Sequence, residues 1–299
     1  MYSIIDQQRA YEIAQEALDR TEDALLTGNH SVFEELFHLP QSLSTMDGIV
    51  WLESTDDIRK VFDRVCKRIK DLGITKLDRR VDRLIFDGPE AIRYSYLTRM
   101  LDADGSLVQP PFPCLCRMIH LDGSWKIADT QYALRDETDH EEALLGAQHE
   151  RSIPGGLESP GYAVFQNLLD RITKSYLEKD FATFEELTSF PVLVQKAHGT
   201  EIFPDAHRLQ IDFEQYQREF KIKGITNMIR TIRSVHMIGS KRMQGTYRTY
   251  LLSGKTLLSE GYDSAMTLEQ GEDAVWRITS VMHPIEHMTL DKMVHSDLS

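Results

Sequence analysis

No apolar run in the chain approaches the roughly 18 residues that a membrane helix requires, so no spanning segment is expected. Met1 to Ala10 mix Asp6, Gln7, Gln8 and Arg9 into their few apolar residues and offer no signal-peptide core, which points to the cytoplasm. Cysteine is scarce: Cys114 and Cys116 are too close for an ordinary disulfide, and Cys66 falls in a helical pattern, so all three are expected free and reduced. Cys-x-x-Cys and His-Glu-x-x-His are missing, and no metal is expected. Gly-x-Gly-x-x-Gly, the phosphate-loop pattern and Gly-x-Ser-x-Gly are missing too, which removes the usual nucleotide sites and the hydrolase elbow. Any chemistry would be cofactor-free. Basic residues are also short. The formal charge is −13, and an excess of acids argues against nucleic acid.

What the chain does have is itself, twice. Shifted by 151 residues, Tyr11, Leu18, Asp19, Arg20, Phe33, Glu34, Glu35, Leu36 and Pro40 fall on Tyr162, Leu169, Asp170, Arg171, Phe184, Glu185, Glu186, Leu187 and Pro191. The same shift, without a gap, superposes Gly73 on Gly224, Arg79 on Arg230, Tyr96-x-Thr98 on Tyr247-x-Thr249, and Trp125-x-Ile127 on Trp276-x-Ile278. A repeat this long is a whole domain, and each half is large enough to bury its own core. The expected boundaries are a first domain over residues 1–135, an acidic Pro/Gly linker over 136–160, a second domain over 161–288 and a flexible tail over 289–299.

Within the first copy, Ile13, Ala17, Leu18, Ala24 and Leu25 predict a long amphipathic helix that stops at Gly28-Asn29. Ser31 is expected to cap a short helix over Val32 to Phe37, with Pro40 ending it. Thr55-Asp56-Asp57 opens a third helix that carries Ile58, Phe62, Val65 and Ile69 to one face. From Lys76 the period changes to β, with turns at Asp102-Ala103-Asp104-Gly105 and Asp122-Gly123. Three helices followed by an antiparallel meander make an α+β domain, with the helices on one face of the sheet.

The long first helix, the Phe33-Glu34-Glu35-Leu36 helix ending in Pro40, the third helix and the Asp122-Gly123-Ser124-Trp125-Lys126-Ile127 hairpin resemble the cone-shaped superfamily of nuclear transport factor 2, SnoaL-like cyclases and ketosteroid isomerase. The resemblance covers about residues 8–134 and 160–288, and it departs at Gly271-Glu272-Asp273-Ala274-Val275. It implies two tandem cone domains forming an internal pseudo-dimer, and it leaves a further homodimer open. It also implies a pocket between sheet and helices that, in active members, sets an acid or base against an oxyanion donor. Isomerases, dehydratases, cyclases, transport adaptors and silent binders share the superfamily, so activity must be argued from the site.

Tyr94, Tyr96 and Thr98, like Tyr247 and Thr249, alternate along a strand and share a face. Their hydroxyls could line a pocket or meet backbone carbonyls. Arg79 and Arg230 could hold an anionic group through a bidentate fork, or pair with Asp19 or Glu34 and their counterparts. Tyr11 and Tyr162 open the first helix of each copy, where they could look into the cone or pack its rim. The histidines do not repeat: His236 and His283 could share a pocket as base and relay, while His38 and His120 have no counterpart. Asp78, Asp82 and Asp129 are the acids of the first copy's strands. The leading expectation is a binder of a small hydrophobic or anionic molecule. The alternatives are a cofactor-independent isomerase, dehydratase or cyclase using His236, Tyr96 or Tyr247, and a protein-interaction adaptor.

Overall fold

A computed structural model of the chain describes residues 4–46, 48–134, 143–145, 160–196, 199–258 and 260–283. Most of the expected linker and the whole of the expected tail lie outside these. The chain divides into two compact units, Met1–Arg151 and Ser152–Ser299.

In the first unit α1 (Gln7–Thr27) starts at Asp6, whose carboxylate accepts the Arg9 backbone N–H, and stops at Gly28, which takes the left-handed φ of 71°. Its buried stripe runs through Ala10, Ile13, Ala14, Ala17, Leu18, Thr21, Ala24 and Leu25, at the three-and-four spacing of one helix face. The short α2 (His30–Glu35) is capped by Asn29 rather than Ser31. α3 (Thr55–Asp71) opens on a reciprocal capping box between Ser54 and Asp57.

The strands are β1 (Phe37–Ser44), β2 (Ile49–Leu52), β3 (Lys76–Phe86), β4 (Ala91–Leu101), β5 (Phe112–Leu121) and β6 (Ser124–Tyr132), in the sheet order β2-β1-β6-β5-β4-β3. β3 to β6 are the predicted meander. The β1–β2 hairpin was not predicted: it occupies the segment between α2 and α3, and β1 runs parallel to β6. Pro40, expected to end the second helix, lies inside β1 with a cis bond to Leu39, and Pro191 is likewise cis after Phe190.

The second unit repeats this order with α4 (Pro160–Glu178), α5 (Phe181–Glu186), β7 (Thr188–Lys196), β8 (Gly199–Phe203), α6 (Ala206–Ile222), β9 (Asn227–Met237), β10 (Arg242–Ser253), the short β11 (Thr256–Leu257), β12 (Tyr262–Gln270) and β13 (Trp276–Met282). Asp180 caps α5, where Asn29 caps α2. In each unit one apolar cluster fills the space between the helices and the inner face of the sheet. No helix among the described residues is long and apolar enough to cross a membrane.

Strand register corrects the gapless alignment of the two copies. Tyr96 pairs with Cys114, whereas Tyr247 pairs with Ser264, so β12 follows β5 by 150 residues instead of 151. The longer hairpin before Trp276 restores the 151 shift: Met118 pairs with Ile127 and Leu268 with Ile278. Two compensating one-residue changes in the loops keep every inward side chain on its face, which a single change would have reversed.

Candidate functional site

The first unit encloses a cavity of about 70 Å³ between its helices and its sheet. On the same measure one water requires ~15 Å³, and a cavity of ~150 Å³ accommodates benzene. Leu18, Thr21 and Leu25 of α1 and Ile58, Val61, Val65 and Ile69 of α3 form the helical wall. Arg79 of β3 and Tyr94, Tyr96 and Thr98 of β4 form the sheet wall, with Gln41, Cys116, Thr130 and Tyr132. The strand alternation that put Tyr94, Tyr96 and Thr98 on one face is thus the geometry found. Leu144 closes part of the wall, and its turn is held by Arg64, whose Nε and Nη2 donate to the carbonyls of Ala143 and Leu144 at 3.1 and 3.2 Å.

The polar groups of this cavity are unevenly satisfied. Arg79 does not pair with Asp19 or Glu34. Its Nη2 donates to the Leu18 carbonyl at 2.6 Å and to the Thr21 hydroxyl at 3.0 Å, and its Nε is buried without a partner. Asp19 instead takes the Gln15 amide, and Glu34 lies 3.4 Å from His30. The Gln41 Oε1 is likewise buried and partnerless, and the buried Tyr94 hydroxyl has only the Cys116 sulfur, a weak acceptor, beside it. Thr98 meets the Cys114 thiol at 3.3 Å.

Burial holds Tyr94, Tyr96 and Tyr132 well above the usual phenol range, against the lowering influence of nearby Arg79. Burial likewise pushes the Cys114 and Cys116 thiols up to about 12. The phenols are therefore neutral donors and the thiols inert at neutral pH. Among the described residues no Asp, Glu, His or Lys lines the cavity. Asp78 pairs with Arg99 and Asp82 with Arg83, and neither these nor Asp129 reaches the wall. His38 lines a separate outer groove with Glu34, Glu35 and Lys126, and His120 stacks near Trp125. Tyr11 and Tyr162 are half-buried, each packed against its own unit's core, and Tyr11 is not part of the cavity wall.

The second unit places different side chains at the equivalent positions. Leu25, Val65 and Ile69 become Tyr176, Tyr216 and Phe220. These rings pack with Phe184 and Phe213 at centroid separations of 4.9 to 6.3 Å. Arg230 lies 5.9 Å over both Tyr176 and Tyr247 and donates to the Thr173 hydroxyl at 3.1 Å. Tyr94 becomes Gly245, and Ala14 becomes Phe165, whose ring sits over that glycine. Tyr247, pushed up to about 12 chiefly by burial, lies beside Ser264, and the buried Thr249 lies beside Tyr262.

His236 and His283 do not share a pocket. A bulge between Thr246 and Tyr247 shifts the alternation of β9, so His236 faces the same side as Gln244 and Ser234, opposite Tyr247. Burial lowers its pKa, and its Nε2 has no partner. His283 meets the Ser264 hydroxyl at 2.9 Å, on the Tyr247 side. It also begins a His-x-x-x-His spacing with His287, which lies outside the described residues. Among the described residues no group of three or more His, Cys, Asp or Glu could hold a metal.

The chain matches no family model and no curated protein. Its structure is similar to solved proteins of the NTF2-like and cystatin-like folds. One is an NTF2-like protein with a cystatin-like fold from Novosphingobium aromaticivorans, 14% identical, covering 45% of this chain and 87% of that one at a TM-score of 0.36. A protein of unknown function with a cystatin-like fold from Nostoc punctiforme is 13% identical over 46% of this chain and 96% of its own, at 0.35. An NTF-2 like protein of unknown function from Shewanella oneidensis is 14% identical over 40% and 96%, at 0.33.

Proposed function

We propose that the chain is a small-molecule-binding protein whose working site is the cavity of the first unit, with the second unit a filled structural copy. The observation that carries this reading is the contrast at matched positions: an aliphatic wall around open space in one copy, and packed aromatic rings in the other, whereas a buried guanidinium Nε without a partner is common to Arg79 and Arg230. An apolar cavity with a few convergent polar groups is the usual form of a ligand site. Its described lining offers no group that exchanges protons near neutral pH, and general acid–base catalysis needs one. That favours binding over an isomerase, dehydratase or cyclase activity. The unpaired cysteines suit a reducing compartment such as the cytoplasm.

Methyl NMR of the full chain titrated with acetamide, a small neutral probe, tests the reading. Shifts are expected at Leu25, Leu43, Val65 and Leu144, the methyl groups around the cavity. Shifts confined to Leu168, Leu169 and Ile172 of the second unit would assign the site to the wrong half and end the proposal.

A further inference from the structure

We propose that the ligand of this cavity is a short-chain monocarboxylate, with its carboxylate on Arg79 and its alkyl tail against the α3 wall of Val61, Val65 and Ile69. The inference rests on the reading of the cavity as a binding site and names what the site selects.

The argument begins with an unmatched charge. A guanidinium carries five N–H donors in a planar fork that suits a carboxylate. Arg79 gives one nitrogen to a carbonyl and a hydroxyl, leaves its Nε buried without a partner, and faces no carboxylate among the described residues of the cavity wall. A charge in apolar surroundings is costly unless it is paired. The missing partner is an anion, and the cavity is where it fits.

Valence and polarity narrow the class. Arg79 is the one cation among the described residues of the lining, so a single negative charge is matched and a phosphate dianion is not. The Tyr94 hydroxyl, fully buried with only the weakly accepting Cys116 sulfur beside it, adds a neutral donor to the same space, and burial keeps it protonated. The opposite wall is aliphatic, which requires an apolar body behind the anionic head. The volume of about 70 Å³ is roughly half of the ~150 Å³ that holds the six carbons of benzene, which limits the ligand to the size of acetate, with a methyl group as its apolar body.

Calorimetric titration of the full chain in chloride-free buffer with acetate and with its neutral isostere acetamide decides the matter. Acetate is expected to bind roughly 100-fold more tightly, the size of a charge-assisted hydrogen-bonded pair. Arg79→Met should erase that preference while leaving acetamide binding in place, and Tyr94→Phe should weaken acetate by about ten-fold. Should Arg79→Met fail to fold by circular dichroism, Arg79→Lys keeps the charge without the fork and should retain part of the preference. Equal binding of the two probes, or a preference that survives Arg79→Met, overturns the carboxylate assignment while acetamide binding still supports the cavity. If neither probe binds, the cavity reading fails with it. Chloride that displaces acetate and binds equally tightly would make this an inorganic anion site and also overturn the proposal.

Discussion

Gly245→Tyr is expected to unfold the second unit, and Phe165→Ala in the same chain is expected to restore it. A Cβ at position 245 would stand 2.6, 2.7 and 3.0 Å from three atoms of the Phe165 ring, and that ring is fully buried and cannot yield. Even Gly245→Ala should cost about 2 kcal/mol by overpacking. A tyrosine adds a whole ring to the same space. Phe165→Ala alone should cost about 4 kcal/mol, because it leaves a void. The double variant reproduces the pair that the first unit already uses, Ala14 with Tyr94. There Tyr94 lies 5.9 Å from Tyr96, while Phe165 lies 6.2 Å from Tyr247, so one ring substitutes for the other from the facing element. In urea unfolding the double variant should be more stable than Phe165→Ala alone, recovering most of that roughly 4 kcal/mol because the tyrosine fills the void. Additive costs would show that the two rings do not compete for one space.

Phe213→Ala should be nearly as damaging, at about 4 kcal/mol. Phe213 stacks on Tyr176 at 4.9 Å and meets Phe184 at 5.4 Å and Phe181 at 5.6 Å, and each ring pair adds about 1 kcal/mol beyond the area it buries. The loss should appear in denaturant unfolding of the second unit, with the first unit's transition unchanged. A cost below about 1 kcal/mol would mean that the cluster collapses around the gap, and that its rings are not what fills this half.

The two predictions use positions at which the copies differ, and this bears on how much the sequence disclosed. Identity between the halves revealed the duplication, the long helices and the meander, because these depend on period and on caps that both copies retain. Comparison of the halves would also have located the second helix correctly: Asn29 and Asp180 are both good caps, whereas Ser31 is matched by Ala182. The β1–β2 hairpin gave no such signal. Its first strand is half-buried and then continuously buried rather than alternating, and its parallel partner β6 lies some eighty residues away. The orientation of His236 depends on a bulge, which shifts the alternation without marking the sequence.

The cavity followed the same division. Strand alternation put Tyr94, Tyr96 and Thr98 on one face without telling whether that face meets the cavity, and Arg79 stood out as a cation kept on a strand in both copies. The features that decide which half is hollow, namely Leu25, Val65 and Ile69 against Tyr176, Tyr216 and Phe220, and Ala14 with Tyr94 against Phe165 with Gly245, read as ordinary core substitutions until packing relates them across elements.

The central claim is that the first unit holds the open site and the second is filled. A crystal of the full chain pressurised with xenon measures this without assuming any ligand. One xenon is predicted between Leu25, Val61 and Tyr94, with none among Tyr176, Phe213 and Tyr216. Xenon in the second unit and none in the first would contradict the account.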